Sequence, residues 1–498
     1  MDLSPELEKL RDEIKDYALE YGLDPFETVF EILDFDQINE VASYGGFPTR
    51  YPHWSFGMEY EHLKKSYAYG LHKIYEMVIN SDPSYAYLLE NNALVDQKIV
   101  IAHVYGHTDF FKNNHWFSAT NRKMMDGLAN HGTIIRRYAE KYGYDKVESF
   151  LDVCLSVDDL IDFHSLFIKR HPSVRREPVQ EEEEEEDVQL KLRSKYYMDD
   201  FVNPPEFVEE QKKKLADKRA QAVRFPEIPE KDILLFLIDN APLENWQKVV
   251  LSIIRDESYY FAPQRMTKIM NEGWASYWHS TIMAEKCLKA SELIDYADHH
   301  SGTLSSRPGV INPYKLGLEL WKDIEDRWNK GKFGKEYEEC DDMEVKKSWD
   351  QHLGLGRQKM FEVRRVANDI TLIDNFLTKE FCEKHKLFSY KYNDVTGMYE
   401  ISDRDFKNIK SKLLFSLTNF GQPIIQVTEA NYKNRGELYL VHKHEGVDLD
   451  VAYAKDTLQN IYQIWKRSVH LETRINDKGK LFTFDGKDHI ELNLGSSS

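Results

Sequence analysis

The chain has 498 residues, well beyond what one compact core organises, so two or three domains or subdomains are expected. Its 26 Phe, 29 Tyr and 9 Trp supply ample core material, and no apolar run approaches the ~18 residues of a membrane span. The formal net charge of -19 includes seven negatives in one run, Glu181 to Asp187; the remainder is only moderately acidic and lacks the basic footprint of a general nucleic-acid binder.

Cys154, Cys287, Cys340 and Cys382 are scattered without a C-x-x-C pair, which argues for reduced thiols rather than a disulfide scaffold or zinc knuckle. The opening Met1-Asp-Leu-Ser-Pro-Glu-Leu-Glu has neither a basic n-region nor an apolar h-region, so a cytoplasmic protein is expected.

Residues 1–171 read as mostly helical. Ser4 followed by Pro5 marks a capped helix start. Leu63, Tyr67, Leu71, Ile74, Tyr75 and Val78 give Tyr60 to Val78 a helical spacing. Asn80-Ser-Asp-Pro-Ser ends it, with Ser84 placed to cap a following helix. Leu94 to Phe111 and Gly127 to Tyr142 are further helices. Residues 172–231, with the acidic run, Pro178, Pro204, Pro205, Pro226, Pro229 and Lys212-Lys213-Lys214, read as a flexible linker with a short helix over Glu206–Ala222.

Helical patterning returns over 232–349, best in Asp232–Ile238, Leu243–Ile254, Gln264–Leu288 and Leu316–Asn329. The C-terminal region, 350–498, turns mixed, with an α+β module from about residue 378. Strands are predicted at Pro423–Thr428, Glu437–His442, Val469–Arg474 and Leu481–Phe484, with a helix at Asp450–Arg467. His442 and His444 read as solvated neighbours on one strand face. The fold class expected is α+β, predominantly α-helical, with a small C-terminal antiparallel sheet.

Two distant stretches each offer half of a metal site. His103 and His107 lie four residues apart on one helix face, close enough to share a cation. With 18 His in 498 residues, about 0.6 pairs of this spacing arise by chance, so the apolar surroundings (Ile99, Val100, Ile101, Val104, Phe110, Phe111) carry the reading. Where the zincin pattern H-E-x-x-H places its general base, this chain has Val104. Asp109 and Glu257 are the candidate bases. Glu272 sits among Met266, Ile269, Met270, Trp274, Tyr277 and Trp278, where a carboxylate needs an ion or an Arg such as Arg255 or Arg265. Gly273 beside it lets another helix approach closely. Glu272-Gly-Trp-Ala275 resembles the segment that delivers the glutamate ligand in gluzincin-type metallopeptidases, although 165 positions separate it from His107. His279 and His131 are candidates for a supporting role or a second ion. The ligand set is thus His103, His107 and Glu272, for Zn²⁺ or a similar divalent ion.

Four strings together carry a wider resemblance: His103-Val-Tyr-Gly-His-Thr-Asp-Phe-Phe-Lys-Asn-Asn114, Pro263-Gln-Arg-Met-Thr-Lys-Ile-Met-Asn-Glu-Gly-Trp-Ala275, Ile311-Asn-Pro-Tyr-Lys-Leu-Gly317 and Arg435-Gly-Glu-Leu-Tyr-Leu440. The chain resembles the stage V sporulation protein R (SpoVR) family from about residue 5 to about residue 475, the acidic run excepted. The resemblance implies a bacterial cytoplasmic protein associated with assembly of the spore cortex, a peptidoglycan layer. Relatives in non-sporulating bacteria, often beside a serine protein kinase and a von Willebrand A-type protein, imply a broader stress-related role. The resemblance implies no catalytic residues. Two readings follow: a metal-dependent hydrolase, or a non-enzymatic regulator or scaffold in which any ion is structural.

Overall fold

The computed structural model describes residues 2–68, 75–168 and 225–494, with positions 204, 209 and 213. The acidic run, most of the predicted linker and the helix expected over Glu206–Ala222 lie outside these residues, the last but for Glu209 and Lys213. The chain forms two compact units, each from two stretches: Met1–Ser149 with Asp256–Gln422, and Phe150–Arg255 with Pro423–Ser498. The fold is α+β and mostly helical, as the periodicity predicts. Among the described residues no helix is long and apolar enough to cross a membrane.

The first unit opens with the helix Pro5–Glu20, where Ser4 Oγ accepts the Leu7 N–H and proline occupies the first turn. A three-stranded sheet follows that helical spacing had hidden: β1 (Thr28–Leu33), β2 (Glu76–Ile79) and β3 (Ser84–Leu89), in the order β1-β3-β2. β1 runs parallel to β3 and β2 antiparallel to it. The helix expected over Tyr60–Val78 is therefore corrected. A helix spans Trp54–Ala68, and Glu76–Ile79 is strand. Ser84 caps no helix either; it begins β3, its N–H bonded to the Glu27 carbonyl and its hydroxyl to that of Ser81. Short apolar runs fit both periods, and here the aromatic and aliphatic residues of β3, buried at five of six positions, find partners on two flanking strands.

The helix Leu94–Asn113, here the histidine helix, is buried at every residue from Gln97 to Phe111. A helix with no solvent face belongs in the middle of a core. Ile101, Val104 and Phe110 are wholly buried, each contributing about 1.5–3 kcal/mol. Its buried charges are paired: Lys98 with Glu292 at 2.8 Å, and Asp109 with Arg364 at 2.6 Å.

Across it lies the helix Lys268–Ile282, here the glutamate helix. The single helix predicted over Gln264–Leu288 is broken at Thr267 and ends in a π-turn at Met283–Cys287. At the break the Asp369 carboxylate accepts the N–H groups of Ile269 at 2.8 Å and Met270 at 2.9 Å, satisfying two orphan donors of the new helix. A Cβ on Gly106 would lie 2.7 Å from Ala275 Cα, so the two helices cross backbone to backbone there. Gly273 meets Gly317 of the helix Pro313–Lys330 in the same way, which is the close approach its missing side chain predicts.

A hairpin of β4 (Ser389–Asn393) and β5 (Met398–Asp403) also falls in the first unit. The second unit holds a five-stranded sheet of β6 (Ile425–Tyr432), β7 (Glu437–His442), β8 (Val469–Ile475), β9 (Lys478–Phe484) and β10 (His489–Asn493), ordered β10-β9-β8-β7-β6. It is antiparallel except at β7–β8, which the helix Val451–Trp465 connects as a parallel crossover. His442 is buried, not solvated, and its Nδ1 lies 2.8 Å from Thr473 Oγ1.

Candidate metal centre

The backbone crossing at Gly106 and Ala275 places the histidine pair against Glu272. His103 and His107, one turn apart, are only 5% and 6% exposed. Their Nε2 atoms and one Glu272 carboxylate oxygen form a group within 4.8 Å, which brings the three predicted ligands together. His107 Nε2 lies 3.5 Å and His103 Nε2 3.7 Å from Glu272 Oε2. These separations exceed good hydrogen bonds. They are close to the edges of a tetrahedron around one ion, where ligand bonds of about 2.0–2.2 Å put donors about 3.3–3.6 Å apart. Glu272 Oε2 is buried and accepts no hydrogen bond. An acceptor in that state costs about 1–3 kcal/mol unless something fills its lone pairs. Arg255, one of the arginines considered for Glu272, pairs instead with Asp232 at 2.7 Å.

The electrostatics favour a cation. Burial, then His103, lowers the His107 imidazole to about 4 despite the opposing pull of Glu272, so the ring is neutral and has a lone pair to offer. Burial works against the Glu272 carboxylate, but His103, His107 and the Lys268 ammonium together hold the carboxyl below the ordinary glutamate value. Asn271 Oδ1 stands 3.0 Å from His107 Nδ1, a contact that fixes the proton there and leaves Nε2 facing Glu272. His103 Nδ1 is 2.9 Å from His279 Nδ1, and His279 Nε2 is 3.4 Å from His300 Nδ1.

Two groups that sequence reasoning missed border the trio. Tyr314 stacks on His103 with ring centroids 6.2 Å apart. Burial, then the Glu272 and Glu76 carboxylates, push its phenol well above the ordinary tyrosine value. Glu76, on β2, is raised by burial and couples electrostatically to both His103 and Glu272. Tyr314 lies within the Ile311–Gly317 string, and His300 in the pair His299-His300, so both were visible in the sequence. Glu76 had no signal, because its strand was read as helix.

The other predicted residues are placed elsewhere. Asp109 is wholly buried, with Arg364 Nη1 2.6 Å from both its oxygens, the Trp274 indole N–H donating at 2.8 Å and the Asp24 N–H at 2.7 Å. The histidine helix continues past Thr108 to Asn113, which turns Asp109 away from the pair. Glu257 bonds Arg50 at 2.6 Å and His131 at 3.1 Å, so Glu257 and the partly buried His131 form a separate cluster. His279, by contrast, lies beside the trio, its Nδ1 2.9 Å from His103 Nδ1.

Fold and site thus define a mostly helical α+β protein with a histidine–carboxylate centre buried in its larger unit. A family model described as "SpoVR like protein" matches residues 2–422, and another described as "SpoVR-like C-terminal domain" matches residues 423–476. The chain belongs to the SpoVR family. The junction of the two matches, after Gln422, is also a boundary between the two compact units. Among curated proteins the chain is similar to "Uncharacterized protein YcgB" of Escherichia coli (strain K12), at 30% identity over 498 residues, covering 93% of this chain and 91% of that one. No solved structure matches.

Proposed function

We propose that this SpoVR-family protein is metal-dependent, with His103, His107 and Glu272 holding one divalent ion, Zn²⁺ first among the candidates. In this reading it acts in the cytoplasm during sporulation, in formation of the peptidoglycan cortex. The observation that carries the metal assignment is the set of donor spacings, 3.5 and 3.7 Å, around a buried Glu272 Oε2 that has no hydrogen-bond partner of ordinary geometry. Three protein ligands with a fourth position open is the pattern of catalytic zinc, which supports metal-dependent hydrolysis of a soluble precursor or peptide. A bound ion of this kind lowers the pKa of a coordinated water to about 7.

A second reading, a regulator or scaffold with a structural ion, is favoured by Val104 at the zincin base position and by the ion pairs that occupy Asp109 and Glu257. Its partners would be the serine protein kinase and von Willebrand A-type proteins associated with the family. Metal analysis of the purified protein beside His103→Ala, His107→Ala and Glu272→Ala separates the readings. Ion lost with the fold retained supports the open, functional centre; ion and fold lost together support the structural one. For the biological role, a null strain that builds a normal cortex contradicts the proposal.

A further inference from the structure

The line of imidazoles His103, His279 and His300 carries an inference that rests on the metal reading above. To bind an ion through Nε2, neutral His103 must keep its proton on Nδ1. That Nδ1 faces His279 Nδ1 at 2.9 Å, and two ring nitrogens at this distance need one donor and one acceptor. With His103 donating, His279 accepts at Nδ1, and its own proton sits on Nε2. His279 Nε2 points at His300 Nδ1, 3.4 Å away, so His300 is the acceptor at the end of the line. The opposite polarity would put a hydrogen on His103 Nε2, directed at the ion.

His300 belongs to the helix Leu293–Thr303, in which no residue is buried. Two contacts set its place. Its ring stacks on Tyr296 with centroids 5.5 Å apart, and the neighbouring His299 Nδ1 lies 2.9 Å from Asp96 Oδ1 on the histidine helix. The Asp96–His299 clasp therefore seats a peripheral helix so that His300 can terminate the line.

We infer that His279 and His300 are positioning residues that lock His103 in its ion-binding tautomer, as Asn271 does for His107, and that the Asp96–His299 clasp holds them in register. Metal affinity is thereby tied to the seating of the Leu293–Thr303 helix.

The test measures Zn²⁺ affinity by chelator competition, and the visible spectrum of the Co²⁺-loaded protein, for the wild type, His279→Leu, His279→Gln, His300→Leu and Asp96→Ala. His279→Leu and His300→Leu should each lose about 10–100-fold in affinity and change the Co²⁺ bands. His279→Gln, whose amide oxygen can accept from His103, should recover the affinity and the bands. Asp96→Ala should fall with His300→Leu. Should His279→Leu not fold, the His300 and Asp96 variants on the outer helix decide the matter alone. Wild-type affinity in the leucine variants overturns the inference, as does an equal loss in His279→Leu and His279→Gln. A wild type that binds no ion removes the metal reading itself.

Discussion

Gly106→Ala probes the helix crossing that builds the centre. The new Cβ would lie 2.7 Å from Ala275 Cα and 3.2 Å from Ala275 Cβ, against about 3.5–4.0 Å for relaxed carbon contacts. The obstacle is backbone, so the helices must part by roughly 1 Å, at the upper end of the ~1–3 kcal/mol typical of overpacking. The better helix propensity of alanine returns roughly 0.5–1 kcal/mol, leaving a net loss of about 2 kcal/mol. The same parting widens the 3.5 and 3.7 Å donor spacings, where metal sites tolerate about 0.2 Å, so Zn²⁺ affinity falls as well. Gly57→Ala is the control, because its Cβ would meet nothing within 4 Å and should gain roughly 0.5–1 kcal/mol. Urea unfolding followed by the fluorescence of buried Trp274, Trp278 and Trp321, with a Zn²⁺ competition titration, reads both effects. A Gly106→Ala protein as stable as Gly57→Ala and binding Zn²⁺ like the wild type would refute the reasoning.

Arg364→Ala strands the wholly buried Asp109 carboxylate and should cost about 3–5 kcal/mol in urea unfolding, while an apolar replacement of both partners costs far less; equal losses would contradict the ion-pair account. Burial raises Asp369 from 3.8 to about 7, so the folded state holds the extra proton, and its contribution is full below the lower value and lost as pH rises through the upper one. In Asp369→Asn the decline between those two values should flatten; an unchanged slope of urea midpoint against pH contradicts it. Asn271→Ala should weaken Zn²⁺ binding about 10–100-fold through His107 with little change in unfolding, and an unaltered titration would count against that contact.

The long apolar segments were legible in the sequence, because the helix around His103 and the core of the one around Glu272 repeat apolar residues over three or more turns. The C-terminal strands were legible for a different reason: turn signals such as Asn431 to Gly436 and Asn476-Asp-Lys-Gly bracket them. The first sheet was not, since Glu76–Ile79 is only four residues long and its stability comes from β3, a partner that local spacing cannot reveal. The break at Thr267 was hidden too, because its cap, Asp369, comes from about a hundred residues downstream. Within the candidate centre, residue type and apolar setting pointed to the three residues that the fold brings together, His103, His107 and Glu272. The destinations of Asp109 and Glu257 depended on Arg364 and Arg50, distant partners that no spacing rule finds.

Crystals of the protein loaded with one equivalent of Zn²⁺, with diffraction recorded on both sides of the zinc absorption edge, test the assignment most directly. The account predicts a single anomalous peak bonded to His103 Nε2, His107 Nε2 and a Glu272 carboxylate oxygen at about 2.0–2.2 Å. A map with no peak among those three side chains, or with the zinc bound elsewhere, would contradict it.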